Sequence, residues 1–119
     1  MKTILYADDS VSLRGLVDAA LINAGYKVIL AEDGEEALLK LSPEVDLVVT
    51  DYNMPKKDGI EVIRGVRKDP LHKVTPILLL TTEFEEEMKI EAKGAGATGW
   101  VVKPFQEEKL IATIRKLLR

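Results

Sequence analysis

The stretch LVVTDYNMPKKDG, residues 47–59, runs four residues of buried-strand character straight into a carboxylate at Asp51. A turn-prone Asn53, then Pro55 and Asp58-Gly59, follow at once. Near the N-terminus the apolar run TILYA, residues 3–7, ends the same way on Asp8-Asp9. A strand that stops on a charge either caps the next helix or brings a side chain to a site. Two such strands pose that choice for the whole chain.

Working outward, five short apolar runs stand out, at 3–7, 27–31, 47–50, 76–80 and 99–102. Four are more continuous than alternating, the pattern of strands covered on both faces, and 27–31 is weaker. Segments of helical period lie between them. Leu13, Leu16, Val17, Ala20, Leu21 and Ala24 form one apolar stripe; Ala37, Leu38 and Leu41, then Ile60, Ile63 and Val66, form shorter ones. Met88 with Phe84 and Ala92, and Leu110, Ile114, Leu117 and Leu118, complete the set of core-facing positions.

Thr82-x-x-Glu85 has capping-box spacing, with Asp33-x-x-Glu36 and Asp58-x-x-Glu61 as looser versions. Gly25, Gly94 and Gly96 sit where helices should end. Gly65 sits mid-helix at a cost of about 1 kcal/mol against alanine, with no reason visible in the sequence. His72, alone in a polar loop, reads as solvated. The order is a β-strand followed by an α-helix, five times. That predicts an α/β fold, a doubly wound five-stranded parallel sheet with helices on both faces.

With 119 residues, the chain fits one domain. A net charge of −3 gives no support for nucleic-acid binding through a basic surface. The absence of cysteine excludes a disulfide framework and a thiolate metal site, and suits a reducing compartment. Asp8 and Asp9 come too early for a secretory signal, and no stretch approaches the ~20 apolar residues of a membrane span. A cytoplasmic protein without nucleic-acid or membrane partners is expected.

The carboxyl ends of parallel strands share one edge of the sheet, where ligands of this fold class bind. Asp8 and Asp9, Asp51, Thr81 with Thr82, and Lys103 all follow strands and therefore converge on that rim. Capping accounts for Thr82 and Asp58, but not for Asp8 and Asp9 together or for Asp51 so far ahead of its helix. Neighbouring carboxylates repel unless a cation intervenes. Oxygen ligands without His or Cys suit a hard ion such as Mg²⁺, which binds one or two carboxylates and accepts phosphate oxygens. Adding an ammonium, a hydroxyl and a carboxylate able to attack phosphorus makes a phosphoryl-transfer site.

Asp8-Asp9, Asp51 in TDYNMPKKDG, Thr81 in LLLTTE and Lys103-Pro104 in WVVKPF appear together, in this order, each at a strand end. On these motifs the whole chain resembles the receiver domain of two-component response regulators. The resemblance implies a flavodoxin-like sheet of order 2-1-3-4-5 and a single receiver domain over 1–119, with no output domain. It implies Asp51 as phosphoacceptor, with Mg²⁺ held by Asp8, Asp9, Asp51 and the backbone carbonyl of Asn53. Thr81 and Lys103 would contact the phosphoryl oxygens, the Lys103–Pro104 bond would be cis, and Thr81 and Trp100 would form the switch. Asn53 and Glu83 would border the path of the hydrolysing water, and so tune dephosphorylation. Trp100 stands where the family usually has Tyr or Phe, and Tyr6 where it usually has an aliphatic residue.

The implied protein is a monomeric signalling protein rather than a conventional enzyme, catalysing its own phosphorylation and dephosphorylation. Its donor would be a histidine kinase of the CheA type. The stretch GATGWVVKPF resembles chemotaxis regulators of the CheY type, which implies a flagellar motor switch protein as output and a phosphatase as a further partner. A phosphorelay shuttle, or a receiver taken from a longer regulator, is the alternative. Two other classes fit less well. A haloacid-dehalogenase phosphohydrolase wants an Asp at position 53, and a flavin mononucleotide carrier wants a phosphate loop where Asp8-Asp9 would repel one.

Overall fold

The computed structural model describes residues 1–82 and 85–119. Strands β1 (Thr3–Ala7), β2 (Lys27–Ala31), β3 (Val45–Asp51), β4 (Ile77–Thr81) and β5 (Gly99–Val102) form one parallel sheet in the order β2-β1-β3-β4-β5. Helices α1 (Val11–Asn23), α2 (Gly34–Lys40), α3 (Gly59–Lys68), α4 (Glu86–Ala95) and α5 (Glu107–Leu117) alternate with the strands, and a short 3₁₀ turn spans Pro70–His72. Among the described residues no helix is long and apolar enough to cross a membrane.

Strand residues point alternately to the two faces, so each face has its own core. Leu5, Ala7, Val48 and Leu79 meet Ile60, Ile63, Met88 and Ala92 on the side of α2, α3 and α4. Ile4, Tyr6, Leu47, Val49 and Leu80 meet Val17, Leu21, Leu110 and Ile114 on the side of α1 and α5. The inner strands β1, β3 and β4 are buried almost throughout, whereas β2, at an edge, is only half-covered. That explains its weaker apolar signal.

Several expectations change in detail. β3 starts at Val45, which pairs with Thr3; the register shifts at the next step, where Asp46 is the extra residue and its carboxylate accepts from the Thr3 N–H at 2.8 Å. β4 runs from Ile77 to Thr81, one residue later than expected. Leu16 belongs to the α1 stripe but is 66% exposed, since it looks into the groove between α1 and Phe105 rather than onto the sheet. Asp58 and Glu61 form a full capping box, and the Asp33 side chain accepts from the Glu36 N–H. The box expected at Thr82 is replaced by an N-cap at Glu85 without a side-chain hydrogen bond. Phe84 lies outside the described residues. Gly96 ends α4 in the left-handed conformation, but Gly94 lies inside that helix.

The reading of His72 as solvated is overturned. The ring is 1% exposed, with Nδ1 2.8 Å from the Thr75 hydroxyl and Nε2 2.9 Å from the Ser42 carbonyl oxygen. A buried imidazole needs such partners, and Ser42 lies thirty residues away in sequence. Gly65 also finds its reason. A β-carbon there would lie 2.6 Å from Leu38 Cδ1, so the glycine lets α2 and α3 approach.

Candidate functional site

The carboxyl ends of β1, β3, β4 and β5 deliver Asp8, Asp51, Thr81 and Lys103 to one rim. Asp8 is fully buried and Asp51 nearly so, whereas Asp9 is exposed. One carboxylate oxygen of each lies within 4.8 Å of the others. Lys103 Nζ is 2.8 Å from Asp51 Oδ1, and the Lys103 N–H donates to the Thr81 carbonyl at 2.8 Å. Thr81 itself is buried at the end of β4. The Lys103–Pro104 bond is cis.

The backbone around Asp51 is held tightly. The Tyr52 N–H donates to Leu80 O and the Gly59 N–H to Tyr52 O, each at 2.8 Å. A β-carbon on Gly59 would stand 2.6 Å from Asp51 O, so any larger residue there would displace the carboxylate's own main chain. Asn53 follows in this turn, exposed, two residues beyond Asp51. Glu83 lies outside the described residues.

Sequence reasoning missed how Asp8 is held. Its Oδ2 accepts from the Tyr6 hydroxyl at 2.5 Å, its Oδ1 from the Ser10 N–H at 2.9 Å, and its main-chain oxygen from Arg14 Nη1 at 2.8 Å. Ser10 also N-caps α1 through Leu13 N–H. The signal for Tyr6 was present in its departure from an aliphatic residue. Arg14, one turn into α1, carried none.

Electrostatics favour a bound cation. Burial, the largest influence, pushes the Asp51 carboxyl above its usual range, and the Asp8 charge adds to this. The Lys103 hydrogen bond and charge pull the other way and only partly offset it. A carboxyl raised on folding binds its proton more tightly in the native state, so stability is lost as pH rises through the folded value. A divalent cation among the three carboxylates would offset the cost that burial and the Asp8 charge place on the ionised form of Asp51. Burial, and next the hydrogen bond to Asp8, push the Tyr6 phenol far upward, so it stays protonated and donates. An all-oxygen set of three carboxylates fits Mg²⁺.

Trp100, on β5, packs partly against the core beside α4. Lys89 Nζ lies 5.9 Å from the ring centroid. The ring also borders a surface groove with Glu86, Lys89, Ile90 and Lys93.

Comparison with known proteins agrees with this geometry. The family profile described as the response regulator receiver domain matches residues 4–115. The chain is 35% identical over 119 residues to the phosphate regulon transcriptional regulatory protein PhoB of Pseudomonas aeruginosa, covering 99% of this chain and 52% of that protein. It is 42% identical over 119 residues to the alkaline phosphatase synthesis transcriptional regulatory protein PhoP of Bacillus subtilis, covering 99% and 49%. The chain thus spans about half the length of these curated relatives. Among solved structures, the Vibrio cholerae chemotaxis protein CheY4 superposes with a TM-score of 0.95 at 46% identity, covering 99% of each chain.

Proposed function

Because the chain belongs to the response regulator receiver domain family, we propose that it takes a phosphoryl group from a histidine kinase onto Asp51 and thereby changes its partner-binding face. The observation that carries this reading is the Asp51 carboxylate itself. It is nearly buried, within 4.8 Å of two further carboxylates and 2.8 Å from an ammonium.

An Asp51 oxygen attacks phosphorus as the P–N bond to the kinase imidazole breaks, and the bonding pair returns to that nitrogen. An acyl phosphate results. Lys103 moves from the carboxylate to a phosphoryl oxygen, and the Thr81 hydroxyl donates to another. Asp8 and Asp9, with Asp51 and the Asn53 carbonyl, would hold Mg²⁺, which when bound neutralises charge on the phosphoryl oxygens. Asn53, exposed two residues after the acceptor, carries a small polar side chain, which suits access of the hydrolysing water and a short-lived phosphoryl group. Glu83 shares that role on the family pattern alone.

For output we propose chemotaxis, with a flagellar motor switch protein as partner and a phosphatase to reset the signal. Likeness to CheY4 across nearly the whole of both chains supports it. A second reading, the receiver part of a longer transcription regulator, is favoured by the half-length coverage of PhoB and PhoP.

The switch can be tested through Trp100, the only tryptophan in the sequence. Adding Mg²⁺ and beryllofluoride should move its emission to shorter wavelength and weaken acrylamide quenching, as the ring leaves Lys89 and turns inward. Thr81→Ala should blunt both changes. An unchanged spectrum with beryllofluoride bound would count against the switch. Retention of purified motor switch protein only by the beryllofluoride form would favour chemotaxis over the second reading.

A further inference from the structure

Tyr6 is fully buried in β1 among Ile4, Val17, Leu21 and Val49, where an aliphatic side chain would fill space without a polar atom. A hydroxyl in such surroundings is costly unless paired. Its partner is Asp8 Oδ2 at 2.5 Å, and the Ser10 N–H holds the other oxygen. Both oxygens of Asp8 are thus fixed from the protein side, and the carboxylate cannot rotate without breaking a buried hydrogen bond.

We propose that Tyr6 is a positioning residue for the divalent-cation site, locking Asp8 in the rotamer that shares space with Asp9 and Asp51. This rests on the Mg²⁺ reading above. Asp9 is exposed and, among the described residues, has no such clamp, so of the two adjacent carboxylates Asp8 is the fixed one. Outer-shell partners of this kind are typically worth about 10–100-fold in metal affinity.

The test is calorimetric titration of the full chain with MgCl₂ alone, comparing wild type with Tyr6→Phe, which keeps the ring and removes the hydroxyl. The Mg²⁺ dissociation constant should rise about tenfold. Phosphoryl uptake from acetyl phosphate should need correspondingly more Mg²⁺ yet approach the wild-type rate at saturation, a split that a packing defect alone would not produce. Tyr6→Leu serves as a second variant should the bare ring pack poorly, with the same shift expected. Unchanged or tighter Mg²⁺ binding in the folded variants overturns the inference and leaves the metal site standing. A wild-type protein that binds no Mg²⁺ overturns both.

Discussion

Chelating Mg²⁺ should slow phosphoryl uptake from acetyl phosphate about a thousandfold, since metal stabilisation of transferring charge is worth several kcal/mol and each 1.36 kcal/mol is tenfold. Asp8→Asn, with Mg²⁺ restored, should reproduce most of that loss, and Asp9→Asn less. The difference follows from burial. Asp8 is fully buried and clamped through both oxygens, so nothing replaces it, whereas water can substitute for the exposed Asp9. Time-resolved intact-mass measurement reads the rate directly. Equal rates with and without chelator would remove the cation from the account.

The second large effect concerns stability at the opposite edge of the sheet. Arg67 donates to the carbonyls of His72 and Thr75 at 2.8 and 2.7 Å, and through Nε and Nη2 to that of Gly96 at 3.1 and 2.8 Å. It therefore ties the segments that enter β4 and β5. Arg67→Met keeps much of the stem but leaves three main-chain carbonyls short of a charged donor. Hydrogen bonds to charged groups contribute about 1.5–3 kcal/mol each, less where water can replace the donor, so a loss of roughly 3 kcal/mol is expected. Urea unfolding would show it as a lower midpoint with unchanged slope. A loss under about 1 kcal/mol would mean that solvent satisfies these carbonyls. Phosphoryl uptake by the folded variant should be little altered, because the clamp lies across the sheet from Asp51.

The architecture was legible because each strand carries local signals that agree: a short apolar run, a polar stop and a following helical period. Runs 3–7, 27–31 and 99–102 coincide with β1, β2 and β5. The convergence of Asp8, Asp51, Thr81 and Lys103 needed only the rule that parallel strands share a carboxyl edge. What escaped were long-range effects. His72 is buried through the Ser42 carbonyl, Gly65 is explained by Leu38 on another helix, and β3 is extended back to Val45 by its pairing with Thr3. None of these leaves a periodic trace. Leu16 misled for a related reason, since its spacing matches the stripe while its side chain faces a groove. Tyr6 was seen as a departure, but its reach to Asp8 required coordinates.

The central claim is that Asp51 carries the phosphoryl group, and peptide mapping of the phosphorylated protein tests it most directly. After incubation with acetyl phosphate and Mg²⁺, the acyl phosphate can be trapped by borohydride reduction, which converts the modified aspartate to homoserine. The account predicts homoserine at position 51 in the wild type and no phosphoryl uptake in Asp51→Asn, whose amide is a poor nucleophile. Homoserine at position 8 or 9, or equal uptake by Asp51→Asn, would contradict it.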